Sequence, residues 1–224
     1  PPRSTLFPYT TLFRSWMIPP GLDVEESSQI DSLISTLKVP KLIAELLFRR
    51  GLRNQQEIED FFHPDLSQLH DPFLFQDMEK AVERVIRAIN NKEAITIYGD
   101  YDVDGTTATA LMYLGLKRVG AVIDFYIPHR MIDGYGLSLG SLDQLKESGS
   151  SLIISVDCGV NALEEIKAIA SLGMEIIITD HHNPKDELPP AYATINPKLT
   201  DCNYPFEHLA GVGVAYKLQI GRAH

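Results

Sequence analysis

From residue 93 onward, short runs rich in Val and Ile alternate with segments whose apolar residues recur every three or four positions. The runs predict strands at 94–98, 122–127, 152–156, 175–179 and 191–195. The periodic segments predict helices at 106–119, 139–147 and 162–172, ending near Gly120, Gly149 and Gly173. Strands that are apolar on both faces and alternate with helices predict an α/β fold, with a parallel sheet flanked by helices.

Residues 16–90 read as a small helical lead-in. Leu33, Ile34 and Leu37, then Leu42, Ile43, Leu46 and Leu47, fall at helical spacing, and Gly51 is placed to end that helix. Asn54 with Glu57 forms a capping-box pattern before a helix over 57–62, which Pro64 stops. Asp77 is expected to cap a further helix with Ala81, Val82, Val85, Ile86 and Ile89 on its apolar face. This segment reads as packing and carries no chemistry.

The composition, 44% hydrophobic and 22% charged, excludes disordered and collagen-like chains. No apolar run approaches the ~18–20 residues that span a bilayer, so no membrane role is expected. Two cysteines, Cys158 and Cys202, cannot make a disulfide scaffold. With no secretory signal in view, the expected location is cytoplasmic. Cys158 reads as a small packed residue at a strand end and Cys202 as a loop residue. The formal net charge of −10 lacks the basic excess of a nonspecific nucleic-acid binder.

Both ends read as foreign to the chain. Thr5 to Ser15 and Ile220 to His224 back-translate to strings that resemble the two matched adapters of a sequencing library. Residues 1–15 and 220–224 are therefore expected to be artefacts flanking a lead-in at 16–90 and an α/β domain at 91–219. Setting them aside removes Arg3, Arg14 and Arg222 and no acid, which moves the charge from −10 to −13.

In parallel sheets the chemistry sits at the carboxyl ends of the strands. Here Asp100, Asp102 and Asp104 follow the first strand, and His129, Arg130 and Asp133 the second. Asp157 follows the third, and Asp180, His181 and His182 the fourth. Carboxylates crowded together repel unless a proton or cation neutralises them. A mixed carboxylate and imidazole set without cysteine favours Mn²⁺ or Mg²⁺ over Zn²⁺ or iron, and several carboxylates can bridge two metals.

Gly99 to Thr107 admits three readings. An EF-hand calcium loop matches Asp100, Asp102, Asp104 and Gly105 but needs Glu where Leu111 stands, and a strand rather than a helix precedes it. A haloacid-dehalogenase signature matches Asp102 to Thr106, yet leaves Asp157 and the Asp-His-His triplet without roles. The third reading joins the paired aspartates to Val156-Asp157-Cys158-Gly159 and Asp180-His181-His182. In that order these motifs resemble the DHH phosphoesterases.

The resemblance extends over about residues 16–219, through Asp71 to Leu74, Ile127 to Leu137, Ile195-Asn196-Pro197 and Gly211 to Leu218. Within the superfamily it lies with the RecJ-type single-stranded-DNA exonucleases. It implies metal-dependent release of mononucleotides from the five-prime end of single-stranded DNA, in repair and recombination. It also implies two divalent ions, Mn²⁺ or Mg²⁺, with a single-stranded-DNA-binding protein and a helicase as partners. Asp102 would bind the first metal, Asp104 and His181 the second, and Asp157 would bridge them. Asp180 would orient an imidazole. His182 would face a substrate phosphate and Arg130 would grip the neighbouring one. Gly105 would let the helix N-terminus approach phosphate or metal. Asp100 stays open between ligand and supporting group, and His129 between substrate contact and structure.

Other branches of the superfamily, an oligonucleotide phosphodiesterase or a pyrophosphatase, and a non-catalytic binding module are the alternatives. The superfamily's fourth motif lies beyond Leu218 in such proteins. The chain as written is therefore expected to be inactive or nearly so.

Overall fold

The computed structural model describes residues 20–129, 131, 134 and 136–222. Its contacts divide into two units, residues 1–69 and 70–224.

In the first unit, α1 (Val24–Leu37) opens with Asp23 and Glu26 in a reciprocal capping box. The apolar series read from the sequence as one helix is broken by Lys38, in the left-handed region, and Pro40. Helix α2 (Lys41–Arg49) follows. Leu47 is buried with Ile30, Leu33, Ala44, Phe48 and Ile58, whereas Leu42 and Leu46 lie outside that core, exposed. Gly51 does take positive φ after α2. The expected capping box of Asn54 and Glu57 starts α3, which begins two residues earlier than read (Gln55–Phe62).

The second unit holds five parallel strands: β1 (Ala94–Tyr98), β2 (Val122–Tyr126), β3 (Leu152–Val156), β4 (Glu175–Thr179) and β5 (Ala193–Ile195), in the order β2-β1-β3-β4-β5. One face is covered by α4 (Met78–Asn91), α5 (Val103–Arg118) and α8 (Gly211–Gly221), around Met112, Leu116, Ile154 and Val214. The other carries α6 (Leu142–Glu147) and α7 (Leu163–Ser171), around Tyr98, Leu145, Ile153 and Ile166. Every residue of the central β3 is buried, as its unbroken apolar run requires. Helix α4 buries Met78, Ala81, Val82, Val85 and Ala88 in this core and so belongs to the second unit. No helix among the described residues is long and apolar enough to cross a membrane.

Some boundaries differ from the sequence reading for local reasons. Helix α5 starts at Val103, not Thr106, because the Asp102 side chain caps it by accepting from the Gly105 amide at 2.9 Å. Segment 139–147 is a 3₁₀ turn followed by the short α6, not one helix. Strand β2 stops at Tyr126 and β5 starts only at Ala193. Asp77 does not cap α4 with its side chain. Its Oδ2 accepts from the Thr194 amide at 2.9 Å, tying the helix start to β5. Residues 1–15, read as foreign, lie outside the described residues. Ile220 and Gly221 continue α8, with Gly221 close against Met78 and Val82.

Arg84 of α4 is buried, with Nε 2.6 Å from Glu175 and Nη2 2.7 Å from Glu93. Burial pushes the Glu93 carboxyl up, but hydrogen bonds from Arg84 and Asn91 hold it below its usual range. Removing one partner of a buried pair strands the others. Arg84→Met is expected to lower stability by about 2 kcal/mol in urea unfolding, less than for a fully enclosed pair because both glutamates reach solvent.

Candidate metal centre

The loop after β1 turns inward at once. Asp100 is fully buried. Its Oδ1 takes a long hydrogen bond from the Gly136 amide, 3.5 Å, and its Oδ2 has no partner among the described residues. Burial raises its pKa. Gly105, in the first turn of α5, lies against this same residue. A Cβ there would sit 2.6 Å from the Asp100 amide nitrogen and carbonyl oxygen. The Asp100 main chain by itself therefore requires glycine at this position.

Asp157 ends β3 in the left-handed region, at φ +61°, where a side-chain-bearing residue is strained. It is buried, and burial followed by the charges of Asp104 and Asp102 pushes its pKa up to about 8. Its Oδ1 accepts no hydrogen bond among the described residues, although His181 Nε2 stands 3.1 Å away. The two observations agree once the ring's tautomer is assigned. His181 Nδ1 lies 2.9 Å from the Leu209 carbonyl, which can only accept, so the proton sits on Nδ1. A neutral ring then turns the Nε2 lone pair toward the Asp157 and Asp104 carboxylates, at 3.1 and 3.6 Å. A proton on Asp157 that is donated to Nε2, or a cation between the groups, satisfies that arrangement.

Asp180 is buried and fully engaged. Its Oδ1 accepts from the His181 and His182 amides and from His182 Nδ1 at 2.7 Å, and its Oδ2 from the Val160 amide. Burial pushes its carboxyl up, yet these donors hold it below the usual range, and in return it raises the pKa of His182. The imidazole it orients is that of His182, while His181 is oriented by a main-chain carbonyl.

Asp104 accepts from Gly211 at 2.6 Å and Val212 at 2.7 Å, one oxygen to each amide, and so anchors the N-terminus of α8. Each oxygen keeps a lone pair. Gly211 also packs on Asp157, where a Cβ would lie 2.4 Å from Oδ1. Leu209 and Gly211 have no role in the sequence reading. The latter enters the sequence reading only as the first residue of the Gly211 to Leu218 segment that carries the resemblance.

Two sets of ligand-type atoms come within 4.8 Å of one another: Asp157, His181 and His182, and Asp100, Asp102 and Asp157. Asp157 is common to both. His129 is exposed and lies in neither set, its Nδ1 accepting from the Met131 amide. Arg130 and Asp133 lie outside the described residues. The unsatisfied oxygens of Asp100 and Asp157 and the tautomer of His181 fit a site built for divalent cations.

Residues 94–224 match the DHH family, N-terminal domain. The chain belongs to the DHH family. This DHH chain is 44% identical over 193 residues to the single-stranded-DNA-specific exonuclease RecJ of Bacillus subtilis (strain 168). That match covers 86% of this chain and 25% of the relative. The Escherichia coli (strain K12) RecJ is 39% identical, over 88% of this chain and 33% of its own length. Among solved structures, RecJ from Thermus thermophilus in complex with Mn²⁺ superposes with a TM-score of 0.68. It is 28% identical, and the match covers 92% of this chain and 27% of that one. The DHH chain therefore spans about a quarter to a third of the length of these relatives.

Proposed function

We propose that this DHH domain carries the hydrolytic centre of an exonuclease that removes mononucleotides from the five-prime end of single-stranded DNA. The observation that carries the reading is Asp157, a strained, buried carboxylate shared by both ligand sets. The RecJ relatives, named for single-stranded DNA, support the substrate.

Asp157 would bridge two divalent ions, Mn²⁺ or Mg²⁺. Asp102, with Asp100 beside it, would hold one, and His181 with Asp104 the other. When bound, such ions supply charge for the phosphate transition state and activate the attacking water. The chain's own groups do the positioning. Leu209 fixes the His181 ring, and Asp180 holds His182 with its Nδ1 proton inward. Asp180 also favours the protonated form of His182, suited to meet a phosphate oxygen at the cleft. Arg130 is proposed for the adjacent phosphate. A cytoplasmic setting, with a helicase and a single-stranded-DNA-binding protein delivering the strand, accompanies this reading.

The test uses a protein of the relatives' length that carries this chain, given single strands labelled at either end. Mononucleotides should appear first from the five-prime label, only with Mn²⁺ or Mg²⁺, and stop on chelation. Internal cleavage, or phosphate release from pyrophosphate in its place, would refute the proposal.

A further inference from the structure

The segment between β5 and α8 is tied at both ends to the paired histidines. The buried Asn196 donates from Nδ2 to the His182 carbonyl at 3.0 Å, and the Leu209 carbonyl accepts from His181. Residues 197–208 therefore arch beside the site, with His208 one residue from a group bonded to His181. The arch borders an open pocket of about 430 Å³ lined by Lys198, Leu199, Tyr204, Phe206 and His208 among others. Lys198 lies close enough to His182 for its charge to act on that ring.

The two aromatic rings of the arch differ in kind. Tyr204 is buried, stacked on Phe75 at 4.1 Å, and belongs to the core. Phe206 is 46% exposed. Its ring meets His208 edge-on, with centroids 5.8 Å apart. Glu207, between them and largely exposed, stands 3.7 Å from His208 Nε2. Lys198 supplies a cation on the same mostly polar pocket, Glu207 disfavours a phosphate directly at the rings, and Phe206 is the exposed apolar ring among them. Unpaired bases stack on such rings whatever their sequence, because every base has a π-face.

We propose that Phe206, with His208 beside it, is a stacking wall for an unpaired nucleobase close to the scissile phosphate. The proposal rests on the exonuclease reading above. Binding of dye-labelled single strands in EDTA, followed by anisotropy on the protein of full relative length, tests it without turnover. The probes are a base-bearing oligonucleotide and an abasic one of equal length. Wild type should prefer the base-bearing strand. Phe206→Leu, which keeps apolar bulk but removes the ring, should reduce that preference about tenfold, whereas Phe206→Trp should keep it. An unchanged preference in the leucine variant, or equal weakening toward both strands, overturns the wall alone. A wild type that binds neither strand overturns the exonuclease reading as well.

Discussion

Asp157→Asn is expected to abolish the stabilisation that Mn²⁺ should give through the proposed metal site, while making the metal-free protein more stable at neutral pH. The two effects share one cause. With its pKa pushed from 3.8 to about 8, Asp157 holds its proton more tightly when folded than when unfolded. Across that window the native state binds more protons than the unfolded state, so stability falls as pH rises from about 4 through about 8. At pH 7 the cost is on the order of 4 kcal/mol, which a neutral asparagine escapes. Its amide could also donate to His181 Nε2, 3.1 Å from the present Oδ1. Thermal melts from pH 5 to 8, in EDTA and in Mn²⁺, provide the check. Metal-free wild type should lose stability as pH rises and the variant should not. A variant that still responds to Mn²⁺ would remove Asp157 from the metal site.

Gly211→Ala should be nearly as damaging to the site, although it adds only a methyl group. That methyl would lie 2.4–2.7 Å from the Asp157 oxygen, Cβ and Cγ. Asp157 is held by its buried strand end, so α8 must move. Its first amides then leave Asp104, and the Leu209 carbonyl draws away from His181. Overpacking of this kind costs about 1–3 kcal/mol, and disturbing the groups that orient metal ligands lowers affinity about 10–100-fold. Gly213→Ala is the control in the same helix. Its Cβ would touch the Leu209 side chain at 3.3 Å, the movable tip of a leucine, and alanine favours helix. Mn²⁺ titration calorimetry on both variants separates the effects. Equal affinity in the two would show that contact with Asp157 does not matter.

Strands β1, β3 and β4 run over the residues their apolar runs predict, because burial on both faces leaves a continuous signal that turn residues end sharply. The start of α5 is hidden by a double role. Asp102 reads as a metal ligand, while its side chain also caps the helix that carries Asp104. Asp77 illustrates the opposite case, a residue of capping type whose carboxylate is taken by a strand over a hundred positions away. The acids and imidazoles at the strand ends are visible because their chemistry is written in residue type. The Leu209 carbonyl is not, since every residue has one and only the fold aims it. Gly211 and Gly105 show the same limit. A glycine announces that something comes close, but not what, and here the neighbours are Asp157 and the Asp100 main chain.

The left-handed backbone at Asp157 has an evolutionary side. Glycine or asparagine would sit there with less strain, and neither would bury a charge. Selection for folding alone therefore pulls this position away from aspartate, and only selection on the reaction holds it. A lineage released from catalysis should drift here first, becoming a sturdier scaffold by a single nucleotide change. Residue 157 is thus the position at which a working member of this family and a retired one should be told apart.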